Sequence, residues 1–547
     1  MNEQSLFDRY DVSPLLKKIV DGIAMSGNAN SPFQVHLQNL NGSSPVFVLQ
    51  HIFTHPQTAT YNHVIVLNDA EEAAYFYNSI ESITGAMDLF YFPSSFKTSQ
   101  NFNLLNPSHV MLRTEALTKL SMGGNKKIVV TYPEAFFEKV IMPKTLQENI
   151  IQIKTNDTLG LNDLMERLVQ YGFERTDFVY EPGQFALRGG IFDIYSFGNE
   201  KPYRVELFGE EVDSIRLFDP ETQLSERKLL QVNIIPNVTT QFEDTIKIPF
   251  MEFVPEHTVV WLKDWTLIQQ RGNDQMEALE AFLLHAPILK ITDDADTHKK
   301  NTDKDDFVAV EKVIEQVFNK PIIEWGFQAN LTKQKLAFST QVQPSFNRQF
   351  QYLIANLQEY EKKGYDLFLF AEQAKQLERL HAIFTDLKTE IQFTPIVKNI
   401  HEGFIDHDHK MVCYTDHQIF QRYHKYKVKQ AYSKNKAITL RTLSDLHPGD
   451  YVTHIDHGVG VYSGLQKIEV NGMMQEAVRI IYKDSDILYV NINSLHKISK
   501  YTGKEGTPPK VNKLGSDAWV KLKDKTKAKV KAIAFDLIKL YAQRKAQ

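Results

Sequence analysis

Residues that could handle phosphate or metal come first, because they decide whether this 547-residue chain could be an enzyme. A working phosphate loop needs glycines that let backbone N–H groups approach, a lysine for the β/γ-phosphates, and a Ser or Thr hydroxyl for magnesium. Leu40-Asn41-Gly42-Ser43-Ser44 lies where an α/β fold would carry such a loop, and it has no Gly-Lys-Ser/Thr. Gly123-Gly124-Asn125-Lys126-Lys127 lacks the hydroxyl and precedes a strand pattern. Ile291-Thr292-Asp293-Asp294-Ala295-Asp296 resembles an acidic metal box with no phosphate loop to serve, and both stretches read as solvated turns. Gly458 and Gly460 form a lone G-x-G with no helix after it, which suits a tight bend better than a phosphate cradle. His401, His407, Asp408 and His409, with the single Cys413, fit no common zinc spacing. No catalytic, cofactor or metal residue is therefore expected, and ATP is not expected to bind the N-terminal fold.

What remains is recognition chemistry. Residues 180–225 read as a β-meander, with strands at 185–187, 191–195, 203–208 and 212–218 and turns at Gly189-Gly190 and Gly209-Glu210-Glu211. Alternation puts Tyr203, Val205 and Leu207 on one face and Arg204, Glu206 and Phe208 on the other. If the first set faces the core, an outward phenylalanine beside an arginine has the composition of a partner hot spot. A covering helix or neighbouring domain would explain Phe208 equally well. Residues 446–501 read as a small β-barrel, with alternating runs at 451–455, 478–482 and 487–490, an Asn471-Gly472 hairpin and a second turn at Asp484-Ser485-Asp486.

The elements that position these stretches follow an α/β pattern. Apolar runs at 45–49, 63–67 and 127–132 suggest buried parallel strands, with helices over 70–83 and 108–120 between them. A strand at 258–262 and a helix over 264–284 continue the pattern. Residues 344–425 suggest a separate small α/β unit: helix 348–363, strand 366–370, helix 373–387, strand 410–414 and a short helix at 418–423. Residues 428–441 are polar and basic and read as a linker. Hydrophobic residues at 42% and charged residues at 24% supply packed cores, and no apolar run is long enough to span a bilayer. The net charge of −5 argues against a protein that coats nucleic acid. The lysines of 521–531 read as the solvated face of a terminal helix whose stripe is Trp519, Leu522, Val530, Ile533, Leu537 and Tyr541. One cysteine allows no internal disulfide and suits a reducing, cytoplasmic setting.

These stretches also resemble known families. Pro448-Gly449-Asp450 through His457-Gly458-Val459-Gly460, with Leu488-Tyr489-Val490 and Ser494-Leu495-His496, resemble the CarD-like, Tudor-type module that docks on bacterial RNA polymerase. GQFALRGGIFDIY and PYRVELFGEEVDSIRLFDPETQ resemble the region shared by the excision-repair protein UvrB and the transcription-repair coupling factors, the surface that engages UvrA. KLGSDAWVKLKDKTKAKVKAIAFDLIKLYAQR resembles the helix that leads into the coupling factors' translocase motor.

The resemblance implies a multidomain α/β chain. A UvrB-like domain with a degenerate phosphate loop would occupy 1–135 and 229–342, interrupted by a β-rich UvrA-binding domain at 136–228. A small α/β domain would follow at 343–427, a linker at 428–443, the CarD-like barrel at 444–502, and a linking helix at 514–547. It further implies UvrA contacts at Arg188, Arg204 and Phe208. Contacts to the RNA polymerase β subunit would lie at Glu476, Val478, Arg479 and Ile480, on a strand expected at the sheet edge, where free backbone groups can pair with a partner. DNA, ATP and magnesium would be handled by a motor beyond Gln547, in a monomer with no membrane contact. Two other readings stay open: a UvrB-like helicase component, which the missing loop and the barrel disfavour, and a CarD-type regulator with an unrelated N-terminal extension.

Overall fold

The computed structural model describes residues 3–27, 31–220, 223–242, 245–285, 299–327, 331–429, 446–470, 473–501 and 508–526. A seven-stranded parallel sheet organises the first domain, in the spatial order Gln334–Ala337, Gln34–Gln38, Ile322–Trp325, Thr258–Lys263, Asn62–Val66, Ile128–Thr131, Leu89–Phe92. Its inner strands are buried on both faces, as helices on either side require: Val64, Ile65, Val130, Trp261, Leu262 and Ile323 are all enclosed, while the edge strand Gln334–Ala337 is largely exposed.

The apolar run at 45–49 is not a strand. It lies in helix α1 (Ser44–Thr54), and the strand of this unit is Gln34–Gln38. Pro45 sits in the first turn, where its missing N–H costs nothing, and Val46, Phe47, Val48, Leu49 and Ile52 are all buried. A helix enclosed on every side loses the polar stripe that would have marked its period. Helix α2 (Ala70–Thr84) falls where expected; the Asp69 side chain accepts from the Glu72 amide, and Gly85 closes the helix at φ 59°.

The inserted domain begins at strand Ile151–Lys154, which pairs with Gln231–Ile234. The return to the first domain therefore comes after residue 234, not at the expected 228/229, because the closing strand must reach back to the opening one. Between them stand β1 (Gln184–Arg188), β2 (Ile191–Ile194), β3 (Tyr203–Phe208) and β4 (Glu211–Phe218), consecutive antiparallel neighbours in a six-stranded sheet. One face carries Phe185, Phe192, Ile194, Tyr203, Val205 and Ile215 against Leu164 and Leu168 of the helix Leu161–Gln170. The alternation read from the sequence is the alternation that packs.

The small α/β unit has a five-stranded mixed sheet flanked by helices Phe350–Lys362 and Ala374–Asp386, each within two residues of expectation. The last module contains β5 (Tyr451–His454), β6 (Gly458–Val470), β7 (Met473–Ile481), β8 (Ile487–Asn491) and β9 (Ile498–Lys500), in the order β8-β7-β6-β5-β9. Among the described residues no ladder joins β8 to β9, so the expected barrel is seen as a five-stranded antiparallel sheet around Val452, Tyr462, Val478, Ile480, Val490 and Leu495. A Cβ on Gly460 would lie 2.5 Å from Ile480 Cγ2, so the G-x-G serves close packing.

The acidic stretch at 291–296 and the linker over 430–443 lie outside the described residues, and the terminal helix is described only over 518–526. Among the described residues no helix is long and apolar enough to cross a membrane.

Candidate partner-docking surfaces

The polar face of the β1–β4 sheet is organised by Asp193. Register sets it opposite Arg204 on β3 and Ala186 on β1, one step along the same face from Arg188. Its carboxylate has 0% exposure and accepts from Arg204 Nε at 2.8 Å and Nη2 at 2.9 Å, and from Arg188 Nη2 at 3.0 Å. Arg204 also donates to the Gln223 carbonyl and lies 4.4 Å over the Phe218 ring, which leaves its side chain 12% exposed. Arg188, 28% exposed, lies 4.3 Å over Phe178. Bidentate pairing and flat stacking suit a planar guanidinium and would not suit lysine. Arg188 and Arg204 are thus brought together, with Arg204 largely committed inside the protein.

Phe208 stands apart at the hairpin end of β3, opposite Glu211, and is 84% exposed. A register shift between Glu206 and Leu207 precedes it, and Gly209 turns the chain at φ 65°. No helix or neighbouring domain covers it among the described residues. Sequence reasoning missed Asp193, Phe178 and Phe218. The available signal was an aspartate inside the strand IFDI, a residue type that strands avoid unless it has a partner.

The strand expected at the edge of the C-terminal module is central where it matters. Residues 477–481 of β7 pair with β8 on one side and, apart from Arg479 opposite the bulge in β6, with β6 on the other, while the preceding end of β7 pairs with β6 alone. Backbone pairing with a partner over 477–481 is thereby excluded, because both sides of the strand are already used. Val478 and Ile480 are buried in the module core, whereas the Glu476 and Arg479 side chains are half-buried. Of the four residues expected to contact a partner, two offer side chains outward. Glu476 Oε2 lies 3.5 Å from Arg188 Nη1, so the two predicted surfaces meet.

The degenerate loop before α1 is already occupied by protein. Ser43 donates its amide to the Glu402 carbonyl at 3.0 Å, and its Oγ accepts from the Glu402 amide at 3.1 Å. A Cβ on Gly42 would come within 2.6 Å of the Gly403 carbonyl oxygen. The helix N-terminus that a phosphate would seek is thus capped by backbone from the small α/β unit. The adjoining cleft, of about 330 Å³, is lined by Asp69, Glu71, Glu72 and Glu402 against the lone cation Lys263, which pairs with Glu72. That field repels phosphate.

The histidines separate. His407 bonds Tyr365, and His409 bonds Asp406 and stacks on Tyr10, while His401 joins His417 and His424, which the sequence reading had not grouped with it. His401 and His424 meet Nδ1 to Nδ1 at 3.0 Å with ring centroids 5.3 Å apart and ring planes 18° apart, so one Nδ1 donates the single proton and the other accepts it. His417 lies parallel over His424 at 4.0 Å and 12°. Lone pairs lie in the ring plane, so two stacked parallel rings cannot both reach one ion at zinc distances. Burial holds all three below the usual histidine range, His401 down to about 4 and His417 to about 3. The trio is a neutral clasp: His401 stacks on Tyr75 of α2, whose hydroxyl donates to the His424 carbonyl.

Comparison with known proteins gives two domain matches, the UvrB interaction domain over residues 151–239 and the CarD-like/TRCF RID domain over 446–502. The transcription-repair-coupling factor of Bacillus subtilis (strain 168) is 26% identical over 95% of this chain and 48% of its own length. Those of Staphylococcus aureus (strain Mu50 / ATCC 700699) and Staphylococcus haemolyticus (strain JCSC1435) are 24% and 25% identical, each over 88% of this chain and 46% of the relative. The chain spans about half the length of the curated relatives it matches. The chain thus carries a UvrB interaction domain and a CarD-like/TRCF RID domain, and along nearly its whole length it is similar to about half of the transcription-repair-coupling factors.

Proposed function

We propose that this chain is the adaptor part of a transcription-repair coupling factor, in which residues 446–502 dock on the RNA polymerase β subunit and residues 151–239 recruit UvrA. The observation that carries this reading is the presence of both recognition domains in one chain whose similarity to the coupling factors runs along 95% of it. On this reading the first domain is a UvrB-like fold that has given up its nucleotide. ATP, magnesium and DNA translocation are assigned to the part of the coupling factors that this chain does not match. Phe208 is the exposed anchor for UvrA, with Arg188 and Arg204 as the cationic ground beside it. On the module, Glu476 and Arg479 are the polymerase-facing side chains, and Val478 and Ile480 support their strand from the core.

The test is a pair of titrations of the whole chain, one with the N-terminal lobes of the β subunit and one with UvrA. Arg479→Glu is expected to weaken the first by at least about tenfold and Phe208→Ala the second by as much, each leaving the other unchanged, as truncation of a hot-spot residue does. A folded wild-type chain that binds neither partner refutes the adaptor reading.

A further inference from the structure

The Arg188–Glu476 contact joins the two recognition domains, and its chemistry is specific. Asp193 is already matched by Arg204 through two hydrogen bonds, so two guanidiniums share one carboxylate and the knot carries one surplus positive charge. Glu476 is the carboxylate that balances it, at 3.5 Å from Arg188 Nη1. The contact has an apolar half as well. Phe178, the ring under Arg188, is buried and belongs to the same packed cluster as Val452, Tyr462, Val478, Ile480, Tyr482, Val490 and Leu495 of the module, with Tyr180 against its margin. An aromatic anchor in an apolar socket beside a matched charge pair is how a specific interface is built.

We infer that the UvrB interaction domain is an in-cis ligand of the CarD-like module, a latch made by Phe178 and Arg188 on Glu476 that a polymerase partner must displace. The inference rests on the proposed role of the module in binding polymerase. While latched, Glu476 is paired within the chain, so a partner that needs this end of β7 binds only the unlatched fraction, and its apparent affinity falls by that fraction. The ion pair is about a third exposed and so contributes modestly, while the buried phenylalanine supplies most of the hold.

The experiment starts on the full chain alone, whose one native cysteine, Cys413, is buried. The double variant Arg188→Cys/Glu476→Cys is expected to be bridged by a short bis-maleimide; failure of that bridge overturns the latch. Next, hydrogen exchange of residues 177–181 is followed as the β-subunit lobes are added. Faster exchange there, with the module itself protected, is expected, and Arg188→Gln should bind the lobes about three- to tenfold tighter than wild type. Binding that protects the module but leaves 177–181 unchanged, with Arg188→Gln within twofold of wild type, overturns the inference. No binding of the lobes at all strikes the adaptor reading instead, and the latch is then decided by the cross-link alone.

Discussion

Asp193→Asn is the perturbation that most directly tests how the arginine face is held. Asn keeps the shape and removes the charge, and its amide nitrogen points a donor at Arg204 and Arg188, which are themselves donors only. Arg188, 28% exposed, can turn toward Glu476 or water and loses little. Arg204, 12% exposed and stacked on Phe218, cannot, and a buried charge stripped of its partner costs about 3–5 kcal/mol. The Gln223 carbonyl still accepts from Arg204, which brings the expected loss to about 3 kcal/mol. For a unit of this size that corresponds to a fall of roughly 10–20 °C in its own transition. The chain has several domains and will not unfold in one step, so the readout is hydrogen exchange or proteolysis of residues 184–218 against denaturant, not a single melting curve. The companion variant Asp193→Leu/Arg204→Met removes both charges, and it is expected to stay within about 1 kcal/mol of wild type because an apolar pair of similar volume fits the same space. If Asp193→Asn costs less than about 0.5 kcal/mol, Arg204 has access to solvent and the account of a committed, buried arginine is wrong.

What the sequence revealed and what it concealed divide along the range of the interactions. The meander was legible because β3 and β4 alternate buried with more exposed positions, so Tyr203, Val205 and Leu207 alternate with Arg204, Glu206 and Phe208, and Gly189 and Gly209 announce the turns. The enclosed helix α1 was not, because Val46, Phe47, Val48 and Leu49 are buried on every side and a continuous apolar run has no period to read. The edge position assigned to 476–481 failed for a related reason. Alternation says which face a residue shares, but pairing on both sides of β7 is decided by β6 and β8, which local sequence does not weigh. The Asp193 knot needed register between three strands, and the seal between Ser43 and Glu402 joins residues 359 apart. That residues 40–44 carry no Gly-Lys-Ser/Thr could be read from the sequence alone, whereas the packing of Glu402 and Gly403 against them could not. The proposed partner contacts were named by resemblance, and only Phe208 had an independent local signal.

Three further perturbations follow. Ile480→Arg puts an unpaired guanidinium into the module core and is expected to unfold residues 446–502 while the parallel sheet stays intact, read by protease sensitivity of the module; a folded variant would mean that Ile480 faces out. Gly42→Ala sets a Cβ against the Gly403 carbonyl at a residue with φ 55°, so the seam between the first domain and the small α/β unit should weaken by about 1–3 kcal/mol, seen as faster exchange at 401–403. The third concerns acid. Burial lowers His401 to about 4 and His417 and His63 to about 3, and lowers His424 as well. In the unfolded chain these groups titrate near their ordinary value of about 6.5. Between there and about 4 the unfolded state holds protons that the folded state refuses, so stability is full above about pH 6.5 and falls as the pH drops through that window. Each such histidine can steepen the fall by at most about 1.4 kcal/mol per pH unit, and the partly exposed His401 and His424 realise only a fraction of it. Glu72 and Asp416, raised by burial, act in the opposite sense and offset part of the loss. Urea midpoints for the first-domain transition at pH 7.5, 6.5, 5.5 and 4.5 should therefore decline, and His401→Gln with His424→Gln should flatten the curve, because the shared proton at 3.0 Å leaves no room for two charged rings. A midpoint that holds constant or rises between pH 6.5 and 4.5 would mean that the clasp accepts protons where it is folded, and the stacked arrangement of Tyr75, His401, His417 and His424 could then not be what joins α2 to the small α/β unit.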